Sequence, residues 1–127
     1  MEEDLHEAPL SVPHPELERY DAAGDLLRAL TAPVRLAVID LLADHPYCVH
    51  ELVDAIGAPQ PLVSQHLRVL RGAGLVRTSR RGREVVYELT DVHAAHIVRD
   101  AVAHASERPP GSAARSVESG SLRFGTR

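Results

Sequence analysis

Four side chains near the end of the chain have the types and spacing of a metal site. Asp91 precedes His93 by two residues, and His104 precedes Glu107 by three. The segment between them has the apolar spacing of an amphipathic helix. At about 100° per residue, both imidazoles lie on one face of that helix. Two nitrogen and two carboxylate donors favour Zn(II), with Co(II) or Ni(II) as further candidates.

The length of this helix keeps its two histidines apart. His93 and His104 are about 16 Å apart along the axis, whereas zinc–nitrogen bonds are about 2.0–2.1 Å long. One ion therefore cannot bind both histidines of one helix, but two antiparallel copies place His93 opposite the second copy's His104. This arrangement predicts a homodimer with two sites. Close approach of the helices is expected at four mostly small residues: Val98, Ala101, Val102 and Ala105.

Simpler interpretations of these residues exist. Histidines on an exposed helix are usually solvated, and Asp91 is also explained as the N-cap of the helix. His96 forms an i, i+3 pair with His93, and we interpret it as an outer-shell or incidental residue.

A second candidate metal site surrounds the only cysteine. Cys48 is followed by His50 and Glu51, and His6 or His14 of the N-terminal segment could join them. We favour the simpler interpretation, a buried structural cysteine, over this second site. A single cysteine excludes an internal disulfide framework and suits a reducing cytoplasm.

The charge of the chain is strongly segregated. All fourteen basic residues are arginines, and the chain has a net charge of −4. Residues 55–83 hold six arginines and no acid, which leaves −10 for the rest. Such a local basic region predicts a polyanionic partner.

Proline and glycine divide the chain into short elements around a small aliphatic core. Residues 1–15 are predicted to be a flexible arm, residues 16–107 a folded domain and residues 108–127 a disordered tail. No apolar run is long enough to span a membrane, and the acidic N-terminus differs from a signal peptide, so a cytoplasmic location is expected. Helices are predicted at 15–30, from Thr31 and Pro33 to His45-Pro46, at 48–57 and at 91–107. A further helix is predicted to begin near Pro59–Pro61 and to stop at Gly72 and Gly74, as the helix at 48–57 stops at Gly57.

The residues after Gly74 change to an alternating pattern. They predict a β-hairpin with its turn at Arg81-Gly82 and with Val85, Tyr87 and Leu89 on one face. Thr90 or Asp91 is then expected to cap the last helix.

Two short helices followed by this hairpin predict a winged helix-turn-helix. In the second helix, Val63, Leu67 and Leu70 define the core side, and His66 falls on the packing side, which predicts a structural role. Gln and Arg are suited to base edges in the major groove of double-stranded DNA, and arginines at a hairpin tip to phosphate or the minor groove. The predicted DNA-binding residues are Gln60, Ser64, Gln65, Arg68, Arg71, Arg80, Arg81 and Arg83.

Three segments resemble the ArsR/SmtB family of dimeric bacterial metal-sensing repressors. They are "LLRALTAPVRLAVIDLL", "CVHELVDAIGAPQPLVSQHLRVLRGAGLV" and "RRGREVVYEL", and the likeness covers residues 21–107 with the S-x-H-L core at Ser64 to Leu67. The resemblance implies a homodimer formed through the N- and C-terminal helices and a repressor that zinc releases from its operator. The D-x-H-x₁₀-H-x₂-E pattern resembles the C-terminal-helix zinc site of the SmtB branch, matching at Asp91, His93, His104 and Glu107.

The resemblance also implies how the zinc site is connected to the DNA-binding helix, and it shows where this chain differs from other members. In the family, the equivalent of His104 is linked to the recognition helix, which points to a carbonyl near Gln65–His66. Members that sense soft metals carry C-x-C at the start of the third helix, where this chain has Cys48-Val49-His50. The chain therefore lacks the second thiolate of such a site.

Other functions remain as alternatives. One alternative is a repressor of this fold that responds to a thiol oxidant or to another metal at Cys48. Another is a zinc buffer or an interaction module. An enzyme is not expected, because the chain has no H-E-x-x-H, no nucleophile elbow and no Gly-rich phosphate loop.

Overall fold

Five helices and three short strands make up residues 15–107, which the computed structural model describes. The predicted arm and tail lie outside this range, apart from Pro15. In chain order, the elements are α1 (Pro15–Leu30), α2 (Pro33–Leu42), β1 (Tyr47–Cys48), α3 (Val49–Ile56), α4 (Gln60–Gly72), β2 (Val76–Arg81), β3 (Glu84–Leu89) and α5 (His93–Ser106).

The junction of α1 and α2 differs from the prediction at one residue. Pro33 occupies the first turn of α2, where its missing N–H needs no partner. The residue before the helix is Ala32, in an extended conformation. The Thr31 hydroxyl instead donates to the carbonyl of Arg28 at 3.0 Å, so Thr31 closes α1 and does not cap α2. At its other end α2 stops before the predicted breaker His45.

Two glycines end the helices of the helix-turn-helix, as predicted. Gly57 follows α3 with φ 79°, and Gly74 follows α4 with φ 77°. The left-handed region is open to glycine at little cost, so the chain can reverse at both points. After α4, the N–H of Leu75 donates to the carbonyl of Leu70 at 3.0 Å. This bond fixes the end of α4 before the hairpin begins.

The hairpin forms with its turn at Gly82 and Arg83, one residue later than predicted, and it gains a strand that the sequence pattern did not predict. β2 and β3 are antiparallel with Arg81 opposite Glu84, and Gly82 has φ 65° in the two-residue turn between them. The two-residue strand β1 pairs with β3 and places Cys48 opposite Val86. The order in the sheet is β1-β3-β2. Two residues are too few to show an alternating pattern.

One face of the hairpin was predicted only in part. Tyr87 and Leu89 pack against the core, but Val85 is 45% exposed because it lies toward the wing tip. The buried valine is Val86, which pairs with the buried Cys48.

The core joins α2, α3, α4 and α5. The predicted core side of α4 is confirmed, because Val63, Leu67 and Leu70 are all buried. Val98 of α5 is fully buried in the core of its own chain. The expectation that Val98 lies against a second copy is therefore wrong, since this side of the helix already faces α2.

An ion-pair network ties α5 to α2 at the surface. The guanidinium of Arg99 donates to the Asp40 carboxylate at 2.8 Å, to the Asp40 carbonyl at 3.0 Å and to the Asp44 carboxylate at 3.1 Å. These bonds raise the pKa of Arg99, and the bond to the Asp40 side chain has the largest effect.

Within the described range, no helix is both long and apolar enough to cross a bilayer.

Candidate DNA-binding face and metal sites

The recognition helix α4 presents polar side chains opposite its buried side. With Val63, Leu67 and Leu70 turned inward, the outward residues can approach a ligand that covers the helix. Four of the predicted base-contacting residues are exposed and Ser64 is half-buried. The four exposed residues are Gln60, Gln65, Arg68 and Arg71.

The arginines of α4 and the wing form a basic surface. Between residues 15 and 107, no carboxylate forms a salt bridge with Arg68, Arg71, Arg80 or Arg83. All four are exposed. A surface with several uncompensated guanidinium groups suits the phosphates of a nucleic acid.

Arg81 differs from its neighbours because two acids hold it. Its Nη2 lies 3.3 Å from Glu84 and 3.3 Å from Glu51. These two bonds raise the pKa of Arg81, and the bond to Glu84 has the larger effect. The same Glu51 oxygen accepts the N–H of Cys48 at 2.9 Å, and this bond is the main reason that the pKa of Glu51 is lowered. Glu51 thus joins the start of α3 to the wing.

His66 has the structural role that its position predicted. Its Nδ1 lies 3.2 Å from Nη1 of Arg35 on α2. Partial burial and then the charge of Arg35 lower the pKa of His66. The neutral ring can accept a hydrogen bond from the guanidinium, so it belongs to the packing of α2 on α4.

Two of the predicted zinc ligands lie side by side at the start of α5. The prediction that Thr90 or Asp91 caps this helix is wrong, because Val92 occupies the N-cap position and makes no side-chain cap bond. Asp91 Oδ1 instead accepts the N–H of His93 at 2.9 Å. The same oxygen lies 3.4 Å from Nδ1 of His93. Both side chains are exposed. This pair supplies one nitrogen and one oxygen donor, which fits half of the predicted set.

The other two predicted ligands lie at the opposite end of the helix. His104 is in the last turn of α5 and Glu107 follows it, and both are exposed. The single chain therefore does not bring them to Asp91 and His93. Within residues 15–107, His104 also makes no hydrogen bond to α4, and the bond that reaches α4 from α2 is that of Arg35. His96 is exposed on α5.

An apolar groove separates α1 from α5. Its volume is about 330 Å³, and its lining includes Leu27 and Leu30 of α1 with Ile97 and Ala101 of α5. Exposed apolar side chains continue along both helices. They are Leu17, Tyr20, Leu27, Ile97 and Val102.

The second candidate metal site has a different carboxylate from the predicted one. Sγ of Cys48 lies 3.3 Å from Nδ1 of His50, as the sequence predicted. Glu51 is engaged with the Cys48 N–H and Arg81, and the acid that joins the cluster is Glu84 of β3. Ligand atoms of Cys48, His50 and Glu84 all lie within 4.8 Å of one another. Strand pairing creates this proximity, and the unrecognised strand β1 is why sequence reasoning missed Glu84.

A helix-turn-helix followed by a hairpin, with a basic outward surface, defines the winged helix-turn-helix class of DNA-binding proteins. Residues 32–78 match the model of the bacterial regulatory proteins of the arsR family. The chain belongs to this ArsR/SmtB family. Over 101 residues it is 59% identical to the "HTH-type transcriptional repressor SmtB" of Mycobacterium tuberculosis, covering 80% of this chain and 75% of that protein.

Solved structures agree with this assignment. The transcriptional repressor BigR of Xylella fastidiosa matches with a TM-score of 0.64 and 35% identity, over 73% of this chain and 96% of that one. A homodimeric winged helix-turn-helix domain of a possible ArsR-family regulator from Mycobacterium bovis matches with a TM-score of 0.65 and 25% identity, over 76% and 90% of the two chains.

Proposed function

We propose that this protein is a homodimeric transcriptional repressor that binds operator DNA and is released from it by Zn(II). The DNA-binding part of the proposal is supported by the outward polar face of α4 and the uncompensated arginines around it. The similarity to a repressor named SmtB supports the same function.

The dimer is supported by the apolar faces of α1 and α5. An open groove between two terminal helices, continued by exposed leucine, isoleucine and valine side chains, is unfavourable in water. A second copy of the same two helices covers it with matching chemistry and closed symmetry. One structural relative is itself a homodimer.

The zinc site is supported by the placement of the four donors. Asp91 and His93 form an exposed pair at one end of α5, and His104 and Glu107 are exposed at the other end. Antiparallel α5 helices of two copies bring each pair to the complementary pair of the other copy. Each such set of four donors can complete a tetrahedral shell, which is a regulatory arrangement rather than a catalytic one. Co(II) and Ni(II) suit the same donors.

The observation that carries the proposal is the Asp91–His93 pair, because it is half of a site that only a second copy can complete. Linkage then sets the regulation: if zinc lowers operator affinity, DNA lowers zinc affinity by the same factor.

The test is an operator-binding isotherm with a fluorescent DNA, with and without zinc. Wild type is expected to lose affinity when zinc is added, and His104→Ala is expected to bind DNA normally but not respond. His96→Ala, an exposed histidine on the same helix, is the matched control and should respond like wild type. A zinc-independent wild type, or a fully responsive His104→Ala variant, contradicts the proposal. Response lost only in Cys48→Ser supports the thiol-based alternative instead.

A further inference from the structure

We propose that Arg81 is a positioning residue of the wing, which Glu51 of α3 and Glu84 of β3 hold so that Arg83 reaches the DNA backbone. The proposal rests on the DNA-binding function proposed above. It assigns different tasks to neighbouring arginines: Arg81 fixes the tip of the hairpin, and Arg83 contacts phosphate.

The guanidinium of Arg81 is already occupied in the free protein. Its Nη2 lies 3.3 Å from Oε1 of Glu84 and 3.3 Å from Oε1 of Glu51. A phosphate that binds Arg81 must displace two carboxylates, and it then meets their negative charges. Arg83 has neither cost, because no acid within residues 15–107 forms a salt bridge with it. Phosphate contact is therefore more favourable at Arg83.

Glu51 is itself fixed at the start of α3. The oxygen that pairs with Arg81 also accepts the N–H of Cys48 at 2.9 Å, as part of a capping box. Cys48 is buried and pairs with Val86 of β3. The carboxylate of Glu51 is thus attached to the packed part of the helix-turn-helix and can serve as a fixed point for the wing.

The tip of the hairpin has little else to hold it. All residues from 80 to 85 are exposed, and β1 pairs with β3 only at Val86 and Tyr87. In the described part of the chain, the bond from Arg81 to Glu51 is the only side-chain hydrogen bond that joins residues 80–85 to another element. An exposed ion pair adds little to folding stability, so we expect this one to affect the position of the tip.

The first test is a double-mutant cycle on operator affinity, measured by fluorescence anisotropy with the full chain and no zinc. Arg83→Ala is made in wild type and in Arg81→Met, which keeps the apolar stem but not the charge. If Arg81 positions the tip, Arg83 is already misplaced in Arg81→Met, and the loss on adding Arg83→Ala should be about threefold smaller than in wild type.

Arg68→Ala on α4 provides the matched control for this cycle. Its loss should add to that of Arg81→Met within experimental error, because Arg68 does not belong to the hairpin. Additive losses for Arg81 and Arg83 mean that each arginine acts independently, and this result overturns the proposal.

The second test is Glu51→Gln, for which two explanations predict opposite signs. The substitution removes a negative charge near the wing, so electrostatics alone predict tighter DNA binding. The amide oxygen can still accept the N–H of Cys48, but the ion pair with Arg81 is lost. Positioning therefore predicts weaker operator binding, by about two- to fivefold, with an unchanged midpoint of urea unfolding.

Asp54→Asn removes an exposed acid of the same helix that forms no salt bridge within residues 15–107. This control should bind the operator as tightly as wild type or more tightly. Unchanged or tighter binding by Glu51→Gln contradicts the positioning role. Failure of wild type to bind DNA contradicts the proposed function instead, so the two failures are distinguishable.

Discussion

Arg35 and His66 are hydrogen-bonded across the boundary between α2 and the recognition helix, with Nη1 3.2 Å from Nδ1. The same guanidinium donates to the carbonyl of Ala29 at 2.6 Å and to that of Arg28 at 3.4 Å. Three elements therefore meet at one side chain: the end of α1, the start of α2 and the middle of α4. A movement of the proposed dimer helix α1 can reach the recognition helix through this contact.

Stability should depend on pH through His66. Burial and then the Arg35 charge lower its pKa in the folded protein, so the unfolded state binds the proton more readily. The contribution of neutral His66 is complete above the unfolded pKa of about 6.5 and is lost as the pH falls through the folded pKa. Urea unfolding of metal-free protein from about pH 8 to about pH 5 should show this decrease.

Two variants separate His66 from other causes of acid sensitivity. His66→Gln is expected to flatten the decrease in unfolding free energy between these pH values. His96→Gln, at an exposed position on α5, should keep the wild-type profile. If both variants lose stability with acid as the wild type does, His66 is not the responsible group.

The coupling of α5 to α4 is expected to pass through α2. This helix holds both Arg35, which contacts α4, and Asp40, which binds Arg99 of α5. Arg99→Gln removes the charge-assisted bonds to α2 but leaves the four zinc donors unchanged. Zinc should still bind with wild-type stoichiometry, while its effect on operator affinity shrinks several-fold.

Zinc calorimetry and operator titration measure these two properties separately. Arg99→Lys retains the charge but not the forked geometry and should be intermediate. An unchanged ratio of operator affinities with and without zinc in Arg99→Gln would show that coupling takes another route.

Local sequence patterns predicted most of the helices and the hairpin, but they did not predict contacts between residues far apart in the sequence. The apolar spacing of Val63, Leu67 and Leu70 was enough to orient α4, and Gly57 and Gly74 were enough to end two helices. A pattern of period 3.6 identifies a buried face but not which chain covers it. For this reason Val98 was assigned to the dimer contact although its own core encloses it.

In the candidate sites too, residues that share one element were predictable and residues brought together from separate elements were not. The donors on α5 were predictable because they share one helix, and helix geometry fixes their spacing. Glu84 comes to Cys48 through strand pairing, and Arg99 reaches Asp40 across 59 residues of sequence. Such contacts depend on how separate elements pack together, and this cannot be deduced from the spacing of residues along the chain or from its composition.

Two adjacent residues of α5 should have opposite roles. Val98 is fully buried, so Val98→Ala should lower the free energy of unfolding by about 2 kcal/mol. Ile97 is 37% exposed and lines the groove beside α1, so Ile97→Ala should chiefly raise the dimer dissociation constant. Chemical unfolding at several protein concentrations and sedimentation equilibrium distinguish the two effects. A dimer equally weakened by both substitutions contradicts the assignment of the two faces.

The arginines of α4 and of the wing should contribute to DNA binding in different ways. Arg68 faces outward from the recognition helix, so Arg68→Ala should cost about 1–3 kcal/mol on the operator and much less on unrelated DNA.

Arg83 lies at the tip of the hairpin, where phosphate contact is expected. Arg83→Ala should weaken both DNAs alike and reduce the slope of log K against log salt concentration by about 0.9. Arg19→Ala on α1 removes a charge of the same sign outside α4 and the wing and is the control. Fluorescence anisotropy on both DNAs over a salt series gives these quantities directly. If Arg68→Ala lowers affinity for both DNAs equally and Arg83→Ala leaves the salt slope unchanged, α4 does not read the bases and the wing does not touch the backbone.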